Sequence, residues 1–87
     1  MYRVRYTKNA LKMLKKLDKP TAKVLTSWVK NHLVGTDNPR QYGKALSGNR
    51  SNQWRYRKGS YRIIADIQDQ DIIIHIIAIG HRKDIYR

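Results

Sequence analysis

Trp54-Arg55-Tyr56-Arg57-Lys58-Gly59-Ser60-Tyr61-Arg62-Ile63-Ile64-Ala65-Asp66-Ile67 is the stretch whose reading decides the fold. Aromatic or aliphatic residues alternate with cations at a period of two, interrupted once at Lys58-Gly59. The pattern predicts two strands, Trp54–Arg57 and Tyr61–Ile67, joined by a tight turn. A turn at Lys58-Gly59 pairs Arg57 with Ser60, Tyr56 with Tyr61, and Arg55 with Arg62. Trp54, Tyr56, Tyr61, Ile63, Ala65 and Ile67 then share one face, and a one-residue slip would mix arginines into that apolar set. Carrying the parity through a turn at Gln68–Asp71 into a further strand, Ile72–Ile79, adds Ile72, Ile74, Ile76 and Ala78. The opposite face receives Arg55, Arg57, Arg62, Ile64, Asp66, Ile73, His75, Ile77 and Ile79.

Working back toward the N-terminus, Tyr2–Tyr6 also alternates and predicts a first strand, after which Thr7 can cap a helix. Ala10, Leu11, Leu14 and Leu17 recur at helical spacing as its apolar stripe, with Lys8, Lys12, Lys15 and Lys19 on another face. Asp18 and Pro20 restart the chain as a second helix, Pro being tolerated in the first turn. Leu25, Trp28, Val29, His32 and Leu33 form its buried stripe, and Gly35 ends it. Residues 35–53 hold most of the loop-forming residues, with Lys44-Ala45-Leu46 as a short edge strand. The expected architecture is α+β, one domain over residues 1–87. An N-terminal strand and a helical hairpin precede an antiparallel meander of three to four strands, whose sheet packs against the two helices in a two-layer sandwich. One sheet face stays uncovered, basic at one end and apolar at the other.

The composition narrows the chemistry. Among 87 residues there are 19 Lys+Arg and 6 acidic residues, for a formal charge of +13. All six acids are Asp, and the chain has no Glu and no Cys. Cys-based metal centres and disulfides are excluded. A chain this short buries only roughly 60–65% of its unfolded surface, so chemistry must sit on an open face rather than in a large internal cavity. No apolar run reaches the roughly 20 residues that span a bilayer, and the sequence opens directly into patterned residues, so a cytoplasmic location is expected. The charge excess favours a polyanionic partner. Arg55, Arg57 and Arg62 on one exposed face match a phosphodiester, because the guanidinium fork fits phosphate oxygens in a way lysine cannot.

The segment Trp54–Ile64, followed by Ile79-Gly80-His81-Arg82-Lys83-Asp84-Ile85-Tyr86-Arg87, closely resembles the RelE family of bacterial toxins. The spacing R-x-R-x-G-x-Y-R, then G-H-R-x-x-[IV]-Y at the end of a last strand, is shared, and the order of elements fits along the whole chain. The resemblance implies a toxin that enters the ribosomal A site and cuts messenger RNA without a metal ion or other cofactor. In that reaction the 2′-hydroxyl attacks the adjacent phosphate, leaving a 2′,3′-cyclic phosphate and a 5′-hydroxyl. It also implies a cognate acidic antitoxin that neutralises the toxin. Arg55, Arg62, Arg82 and Tyr86 stand at the positions of the family's catalytic residues; Gln53 stands where some members carry a lysine.

Such cleavage needs a base for the 2′-hydroxyl, an acid for the 5′-oxygen and cations on the phosphate. Arginine stays protonated, which casts Arg55, Arg62 and Arg82 as charge stabilisers. Without Glu, the proton chemistry falls to Tyr86 as base or orienter, its phenolate favoured by neighbouring arginines, and to His81 as donor or relay, with Asp84 a lesser candidate. Lys8, Lys12, Lys15 and Lys19, with Lys16 and Lys23 nearby, offer sequence-blind phosphate contacts to ribosomal RNA. Ile64, Ile73, Ile77 and Ile79 form an apolar strip on the basic face, read as the antitoxin contact. His75, Trp28 and His32 read as structural, and Trp54 and Tyr56 point toward the helices rather than to an RNA base. Two other readings share this pattern: a ParE-type gyrase poison of the same fold that cleaves no RNA, and a catalytically inert RNA- or ribosome-binding module.

Overall fold

In the computed structural model, which describes residues 1–46 and 52–85, the chain runs β1 (Arg3–Tyr6), α1 (Lys8–Lys15), α2 (Lys19–His32), β2 (Lys44–Ala45), β3 (Gln53–Lys58), β4 (Tyr61–Gln68), β5 (Ile73–His81) and α3 (Arg82–Ile85). The strands form one sheet in the order β1-β5-β4-β3-β2. β1 runs parallel to β5, and every other pairing is antiparallel. The fold is therefore α+β, as expected, with a mixed sheet.

Both long helices begin where the capping residues stand. The Thr7 hydroxyl accepts the Ala10 N–H at 3.2 Å. The Asp18 carboxylate accepts the Thr21 N–H at 3.1 Å and the Thr21 hydroxyl at 2.9 Å, with Pro20 in the first turn. Each satisfies donors that the helix itself cannot. Ala10, Leu25, Val29 and Leu33 are buried against Tyr56, Ile63, Ala65, Ile74, Ile76 and Ile79, and this cluster is the core. Met13, Leu14 and Leu17 pack on its edge. Leu11 does not join them; it is 47% exposed, because a residue next to Ala10 on a helix lies about 100° round the axis from it. The lysine stripe is also shorter than expected. Lys8, Lys12 and Lys15 are exposed on α1, but Lys19 lies beyond the Asp18 cap as the first residue of α2.

The β3–β4 hairpin turns at Gly59-Ser60, not at Lys58-Gly59. Lys58 faces Tyr61, Arg57 faces Arg62, Tyr56 faces Ile63, and Arg55 faces Ile64. Gly59 has φ +60° at the first central position, the arrangement that suits a type II′ turn. Each β3 residue thus pairs two residues further along β4 than the sequence reading had it, so Arg55 is not opposite Arg62. A two-residue shift leaves every side chain on its expected face.

The last strand departs in a different way. Ile64 faces Ala78, while Ala65 faces Ile76, leaving Ile77 as the extra residue of a β-bulge. The bulge lies where β1 gives way to α1, and the Asn9 side-chain amide donates to the Ile77 carbonyl at 3.0 Å. Parity reverses beyond it. Ile79 faces Ile63 and is fully buried in the core, so it is not on the open face, while Ala78 takes the place beside Ile64. Ile72 is not in the strand at all; it sits in the preceding turn at φ +56° and is 44% exposed.

The segment from Thr36 to Gly43 runs from beside Tyr2, whose N–H donates to the Thr36 carbonyl at 2.8 Å, past Asp69 to β3, held by side chains from three places. The Tyr56 hydroxyl donates to the Pro39 carbonyl, and the Trp54 indole donates to the Tyr42 carbonyl. Burial pushes the Tyr56 phenol up, so that hydroxyl remains a donor throughout the ordinary pH range. Arg40 grips Asp69 with both terminal nitrogens, at 2.9 and 3.0 Å, and the Tyr2 hydroxyl donates to the same carboxylate at 2.7 Å. No helix among the described residues is long and apolar enough to cross a membrane.

The Arg40 guanidinium, and after it the Tyr2 hydroxyl, hold the Asp69 carboxyl below the usual carboxylate range. An acid whose pKa falls on folding adds stability above its unfolded value, about 3.9, and loses it as pH drops through the lowered folded value. Because Asp69 is half-exposed, solvent screening limits the contribution to under about 1 kcal/mol. Asp69→Asn is expected to lower the melting temperature by a few degrees near neutral pH and by nothing measurable at the acid extreme. Thermal melts of both proteins across that range check it; a constant difference at all pH values would refute the assignment.

Candidate functional site

Beside β2, the end of β3, the adjoining part of β4 and the loop before β2 enclose an open cleft of about 540 Å³. Lys44, Arg55, Arg57 and Arg62 supply its cations, and Trp28, Tyr42 and Gly43 complete its walls. The volume falls within the range of about 300–1,000 Å³ that small ligands occupy. The strands put these charges together directly. Lys44 faces Arg55 across β2 and β3, and Arg57 faces Arg62 across β3 and β4. Like charges placed directly opposite one another across strands are mildly unfavourable, and an anion nearby relieves this.

The arginines differ in how they are held. Arg62 is only 8% exposed, and its Nη1 donates to the Gly59 and Tyr61 carbonyls, at 3.1 Å each. Its head group is thereby anchored to the hairpin turn. Arg57 is exposed and Arg55 half-buried. Arg82 is exposed at the start of α3, and its backbone N–H donates to the Ser60 carbonyl at 2.9 Å, so it too is tied to that turn.

Gly43 has φ +78°, and a Cβ there would run into the Arg55 carbonyl oxygen and the Trp54 indole nitrogen. Only glycine lets the loop lie this close to β3. Trp28 and Tyr42 were not legible as cleft residues. The helical period marks Trp28 as core, and nothing local distinguishes an aromatic in a loop. Gln53 begins β3, half-buried opposite Asp66.

Other candidates are placed elsewhere. His81 faces Tyr61, with the rings edge-on at 5.5 Å, and its Nδ1 accepts the Lys83 N–H at 3.1 Å. Tyr61 packs on the core beside α2, so His81 belongs to the helix side of the sheet rather than to the arginine cleft. Tyr86 lies outside the described residues. The apolar strip read as an antitoxin contact is largely covered: Ile64 and Ile73 are 6% and 8% exposed, Ile77 is the bulged residue, and Ile79 is core. The bulge removes Ile79 from the strip because it turns that part of β5 over.

Comparison with known proteins gives the family. Residues 4–86 match the family described as the ParE toxin of the type II toxin–antitoxin system parDE. The chain is 30% identical to Toxin RelG of Mycobacterium tuberculosis over 86 residues, covering 99% of this chain and 97% of that one. This chain belongs to the RelE/ParE superfamily of type II toxins. Among solved structures, the toxin is similar to the RelBE2 toxin–antitoxin complex of M. tuberculosis, with TM-score 0.82 and 27% identity over 93% of this chain and 91% of that one. It also shares its fold with the isolated E. coli RelE toxin, with TM-score 0.76 and 21% identity over 99% of this chain and 92% of that one. A RelE–RelB complex from Pyrococcus horikoshii superposes at TM-score 0.69, with 26% identity over 93% and 94% of the two chains.

Three substitutions test how the toxin's cleft is built. Arg57→Gln removes one member of a like-charge pair and is expected to raise stability at low salt by about 0.2–1 kcal/mol, the gain shrinking at about 1 M salt. Arg62→Gln, which gives up the anchored guanidinium, is expected to destabilise by about 1–3 kcal/mol. Denaturant titrations of both variants separate the two roles. Gly43→Ala combines a left-handed backbone with a collision on β3, and is expected to cost more than about 1 kcal/mol and to loosen β2 from β3. Amide exchange at Lys44 and Ala45 measures this; unchanged protection would show that the close approach is dispensable.

Proposed function

We propose that this toxin is an endoribonuclease that cuts messenger RNA in the ribosomal A site, with the scissile phosphodiester held in the cationic cleft. The observation that carries the reading is the convergence of Arg55, Arg57, Arg62 and Lys44 on one open cleft. Sequence resemblance to RelE toxins around Arg55, Arg62, Arg82 and Tyr86 supports it.

In this reaction the substrate supplies its own nucleophile. The 2′-oxygen forms a bond to phosphorus, its proton passes to a base, and the bond from phosphorus to the 5′-oxygen breaks, with a proton delivered to that oxygen. Negative charge grows on the phosphate oxygens in the transition state, and fixed guanidinium donors stabilise it most strongly there. Arg62, anchored on the hairpin turn, is suited to a fixed contact; Arg55 and Arg57 complete the cationic wall. Arg82 does not line the cleft but starts α3 with its backbone N–H tied to the same turn, and is proposed as a further cation on the phosphate; Tyr86, which follows it in sequence, is the proposed base. His81 is assigned a supporting part: its Nδ1 accepts a backbone N–H at the start of α3, the helix that carries Arg82.

The exposed Lys8, Lys12 and Lys15 are proposed to meet ribosomal RNA by charge alone, and the location is accordingly the cytoplasm. The neutralising partner is proposed to be a cognate acidic antitoxin; M. tuberculosis RelBE2 and P. horikoshii RelE–RelB were solved as toxin–antitoxin complexes. Its binding would compensate the arginine face, with Ile77 rather than Ile79 as the apolar contact. The ParE description of the matching family favours a second reading, in which the toxin binds gyrase and leaves RNA intact.

Primer extension on a translating message, with and without ribosomes, decides between them. Cuts that require ribosomes and fall about 10²–10³-fold in Arg55→Gln support the endoribonuclease. An intact message at toxin concentrations that arrest growth would overturn it in favour of the gyrase reading.

A further inference from the structure

Arginines alone would make the cleft a phosphate site, but one wall of it is aromatic. Tyr42 is 39% exposed although it sits among other rings. Its ring meets Trp28 at 5.9 Å and 71°, and His32 at 5.2 Å and 89°, so two rings buttress it nearly at right angles. Trp28 and His32 are themselves stacked at 4.6 Å and 18°, and the His32 Nδ1 lies 2.9 Å from the Trp28 carbonyl oxygen. The Trp28 ring also packs on the buried Tyr56. The Tyr42 backbone is fixed in turn by the Trp54 indole on its carbonyl.

Trp28 and His32 are half-buried, and Tyr42 is the most exposed ring of the cluster, held against them and lining the cleft with Arg55 and Arg57. A surface tyrosine with no role needs no such support. A ring held in place beside phosphate-binding cations is what single-stranded nucleic acid recognition requires, because a base can stack on it without first ordering it.

We propose that Tyr42 is a base-stacking platform. It receives the base of the nucleotide next to the phosphate held by Arg55, Arg57 and Arg62, while Trp28 and His32 act as positioning residues that keep its ring in place. The inference rests on reading the cleft as an RNA site, but it does not depend on cleavage. Stacking is tolerant of base identity, so Tyr42 sets where an RNA strand lies rather than which sequence is chosen.

The test is ribosome-free binding of a dye-labelled 2′-O-methyl trinucleotide, whose blocked 2′-oxygens cannot attack, followed by fluorescence anisotropy. An analogue lacking the central base is the comparison. Wild type is expected to bind the base-bearing probe about tenfold more tightly than the analogue. Tyr42→Ala is expected to abolish that difference while retaining affinity for the analogue, and Tyr42→Phe to restore it. Because the Trp54 bond is made to the backbone, Tyr42→Ala keeps it, and matching melting curves establish that the variant folds. Equal binding of the two probes by wild type, or a difference that survives in Tyr42→Ala, would overturn the proposal. So would an acidic peptide bearing one Phe that wild type prefers to the trinucleotide and that loses affinity in Tyr42→Ala, since the ring would then serve a protein partner. A message left uncut beside base-dependent binding retires the endoribonuclease and leaves the platform standing; cuts beside base-independent binding do the reverse.

Discussion

The two-residue turn at Gly59-Ser60 fixes where every side chain of the cationic face falls. With Gly59 at positive φ, β3 and β4 pair so that Arg57 lies across from Arg62. The same turn offers its carbonyls to both arginines that flank it in space: Gly59 takes the Arg62 guanidinium, and Ser60 takes the Arg82 backbone N–H. A side chain that would otherwise swing in solvent is thereby referenced to the backbone, and α3 starts from a fixed point. Lengthening the turn by one residue would invert β4 relative to β3 and send Arg62 into the core.

Holding this many cations together opposes folding, and the core supplies the compensation. The isoleucines at 63, 67, 74, 76 and 79 are fully buried, as are Leu25, Leu33 and Val29, and each contributes roughly 1.5–3 kcal/mol by leaving water. Against this, a like-charge cross-strand pair costs only about 0.2–1 kcal/mol. The unfavourable charge arrangement is therefore affordable as long as it stays at the surface. Arg62 marks that limit: it is nearly buried, and it is the arginine whose guanidinium bonds to two backbone carbonyls.

What could be read from the residues followed the strength of each local rule. Helix starts were legible because Thr7 and Asp18 each have one good use at those positions. The two faces of the hairpin were legible even though the turn was misplaced, since a shift of two residues preserves parity. The bulge at Ile77 was hidden because residues 76–79 are apolar on both parities, and the cause lies in tertiary structure, where α1 begins beside β5 and Asn9 takes the bulged carbonyl. For the same reason Ile79 passed as a surface residue. Arg55, Arg57 and Arg62 were found together by alternation. Tyr42 and Gly43 had no period to betray them; their roles exist only once Tyr56, Trp54 and Arg40 have drawn the loop onto the sheet.

The Arg57–Arg62 pair bears on regulation. A polyanion in the cleft would lower the repulsion between Arg57 and Arg62, whether it were an RNA backbone or an acidic protein segment. A ligand that binds only the folded chain also stabilises it, by an amount that grows with the ratio of its concentration to its dissociation constant. An acidic antitoxin lying across these arginines would therefore do two things with one set of contacts: it would exclude RNA, and it would add to the stability of the folded toxin. Inhibition would need no conformational switch and no separate regulatory site, because the groups proposed to attract a phosphodiester would equally favour a carboxylate in its absence.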